Sequence, residues 1–483
     1  MTFPLNPSTE LFSRGQLDSV HATSMRALGE VGVAVQDEHA LGLLEDNGAK
    51  IDRRKNLAWI SEGIISEALA KAPKNITLHS LIDKGAHPLN GGSVYYSPGS
   101  TVPFILESRG TVRRSLSSDL VNLVRLTDAL ENIELQSTAF VLADIPDNIG
   151  DAYRLYLVLK NSRKPIMTGA FHPQGLRNMK KLLQIAAGGA EELTQRPIAV
   201  LTACPTTPLT WGELGIETLI ECGSAGIPVE ITPAPQLGIT GPATIAGSLV
   251  QLNAEFLSGL VISQLLHPGS PVIYGGVAAT FDMRYANARS AAIESMMLVS
   301  GYAQMSKYYG LPSSTYSGDT DAKTIDAQSG FESGIGIVLA TLSGVNIVSG
   351  PGGMNFLYMQ SPEKLVIDDA ICGMARRLRR GVIVNEDTLA LDAIRRAGPG
   401  GQFLNLRHTL DWALKEQFMP SQVVDRQTLE VWKANGSKDS AANAAEVAQK
   451  LLREHKPQPL PIETEQQLDA AAKEMARSGV LIA

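Results

Sequence analysis

The sequence predicts a closed (β/α)8 TIM-type barrel with an N-terminal helical and β-hairpin extension and a C-terminal helical tail. Three observations carry that prediction. From about Ser117 short apolar runs alternate with helical windows, which means parallel strand pairing. Several of those runs begin just after a proline, where a βα unit starts its strand out of a loop. The rival, a doubly wound sheet, would usually carry a Gly-rich phosphate turn after its first strand, and none is visible.

Taken in order, apolar residues at helical spacing predict helices over 17–29, 37–47 and 61–72. The stretch from Ser93 to Arg114 has aromatic and β-branched runs broken by Pro98-Gly99 and Arg109-Gly110, a pattern that predicts hairpins. These make an extension over 1–116. Strand candidates follow at 133–141, 165–171, 198–203, 228–232, 271–275, 312–316 and 345–348, with an eighth expected at 402–406. Helical windows lie between them at 118–129, 176–187, 211–222, 246–266, 288–308 and 326–342. The barrel is therefore expected over 117–406. The tail, 407–483, reads as charged helices (425–433, 443–455), a stiff Lys456-Pro-Gln-Pro-Leu-Pro connector and a last helix packed on the barrel or on a second subunit.

A chain of 483 residues is long enough to bury a large core without a metal or disulfide staple. Cys204, Cys222 and Cys372 have no CxxC spacing, which argues against a disulfide framework or a zinc ribbon. Net charge is −7 (42 Lys+Arg, 49 Asp+Glu), spread along the chain, so there is no basic footprint for nucleic acid. The window 256–266 is too short to span a bilayer, and Met1-Thr-Phe-Pro-Leu-Asn-Pro lacks the features of a signal peptide. A cytoplasmic protein without membrane contact is expected.

In such barrels the chemistry sits at the C-terminal ends of the strands. Those positions hold Phe140, Phe171-His172, Thr202 to Thr207, Glu230 with Thr232, Tyr274-Gly-Gly, Tyr316 to Asp321, and Ser349 to Phe356. Aromatics are frequent there although they make only 5% of the chain, and the carboxylates Glu230, Asp319 and Asp321 stand apart rather than in a metal-ligand cluster. Rings plus a carboxylate suit a quaternary ammonium, whose methyl-shielded charge donates no hydrogen bond and is held by ring faces and a nearby negative charge. The same rings also suit simple packing at the barrel mouth. His172 fits either a substrate hydrogen bond or a structural role. Gly350-Pro-Gly-Gly reads as a turn that lets substrate approach. No HExxH, P-loop or GxSxG element is present.

Tyr308-Tyr-Gly-Leu-Pro-Ser-Ser, Thr320-Asp-Ala-Lys and Asp326-Ala-Gln-Ser-Gly-Phe-Glu resemble motifs of the trimethylamine:corrinoid methyltransferase superfamily. So do Tyr95-Tyr-Ser-Pro-Gly-Ser, Gly275-Gly with Asp282-Met-Arg, Ser361-Pro-Glu-Lys-Leu-Val-Ile-Asp, Phe403-Leu-Asn-Leu-Arg-His-Thr-Leu and Pro420 to Trp432, all in family order. The chain has no pyrrolysine and so resembles the branch that works without it, whose known members demethylate quaternary amines such as glycine betaine. The resemblance implies a barrel that passes a methyl group to cob(I)alamin on a separate corrinoid protein, with no cofactor or metal of its own. For that chemistry the candidate substrate contacts are Tyr95, Tyr96, Phe171, His172, Glu230, Tyr274, Tyr316 and Phe356. Phe171, Tyr274 and Phe356 would be ring walls, Glu230 a distant counter-charge, and Tyr95, Tyr96 and His172 would hold the substrate's other end. Asp319, Asp321, Lys323 and Gln328 would face the corrinoid or shape its loop. A homo-oligomer is expected. The alternative is an onium-binding barrel that reacts differently or not at all. Ser349-Gly-Pro-Gly-Gly-Met departs from the aromatic or histidine-bearing stretch of betaine-type relatives, so the onium substrate stays open.

Overall fold

The computed structural model describes residues 7–82, 85–99, 101–107 and 110–480. Residues 1–6, Ser100 of the Tyr95 motif, and Ser108-Arg109 of the hairpin region lie outside them.

Eight parallel strands form a ring: β1 (Tyr95–Ser97), β2 (Gln136–Ser137), β3 (Ile166–Thr168), β4 (Ala199–Ala203), β5 (Val229–Ile231), β6 (Val272–Tyr274), β7 (Ser314–Tyr316) and β8 (Ile347–Ser349). Strands β2 to β6 pair consecutively, and β7, β8 and β1 make a second arc. A parallel bridge from Tyr274 to Ser313 joins β6 to β7. Leu135 N donates to Tyr96 O at 3.0 Å and closes the ring between β2 and β1. Each strand is followed by a helix: α1 (Ser117–Ala129), α2 (Asp147–Asn161), α3 (Pro173–Ala187), α4 (Glu213–Ser224), α5 (Ile245–Leu266), α6 (Ile293–Tyr309), α7 (Ala327–Leu342) and α8 (Pro362–Arg379). This is the predicted (β/α)8 barrel.

One strand is not where the sequence placed it. Residues 402–406 form a turn, with Leu406 N on Phe403 O, leading into the helix Arg407–Glu416. The eighth place in the ring belongs to Tyr95–Ser97, which pairs with Ile347–Ser349. A ring strand needs a partner on each side, and the run read as one arm of a hairpin has both. The ring thus begins inside the segment assigned to the extension. A true hairpin follows it, Phe104–Leu106 against Val112–Arg114, and joins the strands of the β8–α8 loop above the ring.

Side chains alternate across each strand. Leu135, Met167, Val200, Ile273 and Ile347 point into the ring, and Tyr95 packs on them. The hairpin Ile76–His79/Ala86–Leu89 presses Ile76, Leu78 and Leu89 onto the same cluster and plugs the N-terminal end of the ring. The interior below the mouth is therefore solid. Residues of opposite parity, Leu201, Val229, Ile231 and Tyr274 among them, face the helices.

Helix α5 is long and apolar enough to cross a membrane by length and composition, but 72% of its apolar window is buried inside this fold. It lies between the barrel and the N-terminal helices Arg14–Arg26 and Glu62–Lys71. The tail helices Ser440–Glu454 and Ile462–Val480 pack on α8 and α1 and on α2 and α3 respectively. By contrast, the helix Arg407–Glu416 buries no residue in its own chain.

Candidate active site

Glu230 is the middle residue of β5, and its parity turns it into the ring just above the apolar plug. It is 1% exposed. Its partners are hydroxyls: Thr202 Oγ1 donates to one carboxylate oxygen at 2.9 Å, and Ser314 Oγ donates to the other. Among the described residues it forms no ion pair with Lys, Arg or His. Burial pushes its carboxyl above the usual range, and the hydroxyl hydrogen bonds only partly oppose that shift. The wall beside it must be thin. A Cβ on Gly275 would stand 2.7 Å from Glu230 Cγ and 2.7 Å from Ile231 O, so only glycine fits at the end of β6.

Around this carboxylate the mouth is built by loops. Asp319 and Asp321, beyond β7, meet Ser290 from the β6–α6 loop: Ser290 Oγ donates to Asp319 and lies 3.1 Å from Asp321. Asp319 is 2% exposed, and burial followed by the charge of Asp321 raises its carboxyl to about 6 against the opposing Ser290 hydrogen bond. Glu332 of α7 accepts from Thr320 Oγ1, Asp321 N at 2.8 Å and Gln328 Nε2 at 2.9 Å. Lys323 Nζ donates to Asp321 O at 2.7 Å and stands 4.0 Å from the centre of the Phe356 ring. Asp319, Asp321, Lys323 and Gln328 thus belong to one network tying the β6–α6, β7–α7 and β8–α8 loops together.

Two buried ion pairs support the mouth from behind. Lys364 and Asp368, one turn apart on α8 and both fully buried, are 2.6 Å apart. Lys364 also reaches Ser333 of α7, and Asp368 accepts from Gly352 N at 2.7 Å, which fixes the β8–α8 loop. On the opposite side Arg154 pairs with Asp151 on α2. The second oxygen of Asp151 accepts from Phe171 N at 2.8 Å and His172 N at 3.2 Å, so this carboxylate caps α3 from a neighbouring helix. Sequence reasoning gave none of the four a role, although Lys364 and Asp368 lie in the motif Ser361-Pro-Glu-Lys-Leu-Val-Ile-Asp. Their signals, Lys-x-x-x-Asp and Asp-x-x-Arg at helical spacing, look like ordinary surface pairs. It also missed the strained turn Asn355–Phe356–Leu357, whose φ values of 51°, 60° and 58° put three consecutive side chains in the left-handed region. Such strain collects at functional sites.

The predicted aromatics divide. Phe171 and His172 sit at the rim after β3, and Phe171 is 54% exposed with its ring 5.2 Å from the Arg154 guanidinium. His172 is the N-cap residue of α3, with Nδ1 3.7 Å from Asp151. Tyr316 ends β7 with its side chain partly buried, and Phe356 lies in the β8–α8 loop. Tyr274 is not a ring wall. It points away from the mouth, stacks on Phe256 of α5 at 3.9 Å and donates to Asn253 at 2.8 Å, because its strand neighbour Ile273 takes the inward position. Tyr96 likewise faces outward, bonded to Thr341 of α7 at 2.8 Å. Tyr95 is inside but at the plugged end, with its ring against His87. None of these three belongs to the mouth.

Comparison with known proteins agrees with this architecture. In overall fold the chain resembles the Methanosarcina barkeri monomethylamine methyltransferase MtmB, with TM-score 0.51 and 13% identity over 98% of this chain and 95% of that one. A hydroxylamine complex of MtmB gives TM-score 0.55 over 92% and 88%, also at 13% identity. In sequence it is 31% identical to the glycine betaine methyltransferase of Desulfitobacterium hafniense (strain Y51), over 96% of this chain and 97% of the relative. It is equally 31% identical to the trimethylamine methyltransferase MttB of Desulfitobacterium hafniense (strain DSM 10664 / DCB-2), over 93% and 90%. The family described as trimethylamine methyltransferase (MTTB) matches residues 4–479. With fold, length and sequence all in accord, this chain belongs to the trimethylamine methyltransferase (MTTB) family.

Proposed function

We propose that the chain moves a methyl group from a quaternary amine to cobalamin carried by a separate corrinoid protein, in the cytoplasm and as a homo-oligomer. The observation that carries this reading is Glu230: a carboxylate inside the ring, dressed by Thr202 and Ser314, with no protein cation beside it among the described residues. A permanently charged onium group is the complement of that site. Its methyl-covered nitrogen accepts and donates no hydrogen bond, and the carboxylate's hydroxyl partners leave it nothing else to satisfy.

The residues present fit a corrin that is carried in rather than resident. The ring interior beneath Glu230 is filled by Leu135, Met167, Val200, Ile273 and Ile347, so a macrocycle belongs over the mouth and only the onium group enters. When docked, cob(I)alamin supplies the nucleophile that takes the methyl group. This chain's task is to orient the C–N bond and to exclude water. Departure of a neutral tertiary amine needs no proton, so no acid need stand over the nitrogen. Hydrogen bonds from Thr202 and Ser314 spread the charge of Glu230. That limits how far it stabilises the cationic ground state over a transition state already losing charge. The network around Asp319 and Asp321 favours the loop-shaping role for those residues.

The test is to mix the protein with cob(I)alamin or a cognate corrinoid protein and a panel of betaines and other quaternary amines, and to follow the methylcobalamin spectrum. Methylcobalamin formed with one of them supports the proposal. No spectral change with any, corrinoid protein included, overturns it; calorimetric binding without turnover then identifies an onium-binding barrel instead.

A further inference from the structure

At the opposite end of the barrel from Glu230, a cavity of about 740 Å³ opens between the start of β1, the C-terminal turn of α8 and the residues after helix Arg407–Glu416. Its charge is one-sided. Arg376, Arg377, Arg379, Arg380 and Lys415 line it, with Glu134 the only carboxylate among the described lining residues. Glu134 is taken by Arg376, and Arg377 is held by Glu416 at 2.7 Å.

The other three cations have no carboxylate partner among the described residues. Arg379 donates to carbonyls, Thr341 O at 2.7 Å and Gly92 O at 3.4 Å. Arg380 donates to Lys415 O, and Lys415 Nζ lies over the Trp412 ring at 5.1 Å. A fourth cation stands behind them: Lys307 Nζ and Arg379 Nη2 both crowd Gly344, lying 2.9 and 3.2 Å from where its Cβ would be. Burial, and then the charge of Arg379, lower the Lys307 ammonium from its ordinary value. Basic residues in the last turn of α8 complement the helix dipole. That does not account for Lys415, which lines the cavity from a different helix.

The cavity also has a fixed apolar side. Phe418 lies against α8 so closely that a Cβ on Gly373 would meet its ring at 2.5 Å, and the outward-facing Tyr96, its ring 5.5 Å from the Arg376 guanidinium, also lines it. The volume is that of a small-molecule site. We propose that this basic cavity is a second ligand site, taking a small molecule that carries a phosphate or pyrophosphate group and a flat apolar body. Guanidinium groups held in place by carbonyls suit the fixed geometry of phosphate oxygens. Because the ring between this cavity and the mouth is solid, its ligand occupies the protein without competing for the onium site.

Calorimetry of the full chain with ADP and with inorganic pyrophosphate tests this. Saturable binding is expected, weakening as salt is raised. Arg379→Gln/Arg380→Gln is expected to lower affinity at least about tenfold, and so is Lys415→Gln, a change at an exposed side chain that leaves the barrel intact. Arg395→Gln, an exposed arginine paired with Asp392 outside the cavity, leaves binding unchanged. Absence of binding by both probes overturns the proposal, as does equal affinity in parent, double variant and Lys415→Gln. So does a cavity found to be covered by a second copy of the chain, seen as dissociation of the oligomer in the variants without probe binding in the parent.

Discussion

Replacing Glu230 by Gln removes a charge and little else. The amide oxygen still accepts from Ser314, and the Thr202 hydroxyl can turn to accept from the amide nitrogen, so the local hydrogen bonds survive. What is lost is the attraction between a buried carboxylate and an onium nitrogen held about 5 Å away by its own methyl groups. At an effective dielectric of about 20 that attraction is roughly 3 kcal/mol, or on the order of a hundredfold in Kd. The substrate cation is neutralised as its methyl leaves, so the carboxylate favours the ground state more than the transition state. Affinity therefore falls steeply while kcat in single turnover stays level or rises. Calorimetry with the turning-over quaternary amine and stopped-flow detection of methylcobalamin measure the two separately. Stability supplies a control with the opposite sign. Burial raises the folded carboxyl above its ordinary 4.5, so the parent loses stability as pH rises through that value, and the Gln variant does not. At neutral pH the variant should melt no lower than the parent. An unchanged Kd in a variant of undiminished stability would refute the assignment of Glu230 to the onium group.

Three other outcomes are expected. Phe356→Ala should weaken onium binding by roughly 1 kcal/mol, and Lys323→Ala should tighten it by a similar amount, because the ammonium 4.0 Å from that ring is a like charge; unchanged Kd in both would leave the ring as packing. Lys364→Met strands the fully buried Asp368 and should cost about 3–5 kcal/mol in denaturant unfolding, with Lys364→Met/Asp368→Leu less damaged; a loss under about 1 kcal/mol for the single change would contradict the buried pair. Asp319, raised to about 6 from an ordinary 3.8, should make the parent lose roughly 3 kcal/mol of stability as pH rises through that interval. Asp319→Asn should then gain on the parent across the same interval and level off above it, and a difference independent of pH would show that Asp319 titrates normally.

Much of the barrel was legible because each βα unit writes a local pattern: an apolar run after a proline, then a helical window. Seven runs mark ring strands in the structure. The eighth was misplaced because the pattern is silent about pairing. Tyr95–Ser97 sits among Gly and Pro residues that also suit a hairpin, and only its ladder to Ile347–Ser349 reveals a ring strand. Residues 402–406 offered a similar apolar run with no neighbour to pair with.

The site was legible to the same depth. Position at a strand end singled out Glu230, Asp319 and Asp321 as candidates, but a strand end has two faces, and one residue of register decides between them. Glu230 and Tyr274 occupy paired β5 and β6, yet Glu230 aligns with Ile273 while Tyr274 aligns with Ile231. The inward pair is Glu230 and Ile273, the outward pair Ile231 and Tyr274. An aromatic beside Gly275-Gly276 invites reading as a pocket wall, and nothing local opposes it. Only the requirement that Ile273 complete the plug with Val200 and Ile347 sends the tyrosine to the helix layer. The same parity strengthens the case for Glu230. A carboxylate placed inward by register, among residues whose hydroxyls satisfy it without neutralising it, is costly to the fold. Keeping that cost with no cation beside it among the described residues is intelligible when the compensating positive charge arrives with the substrate.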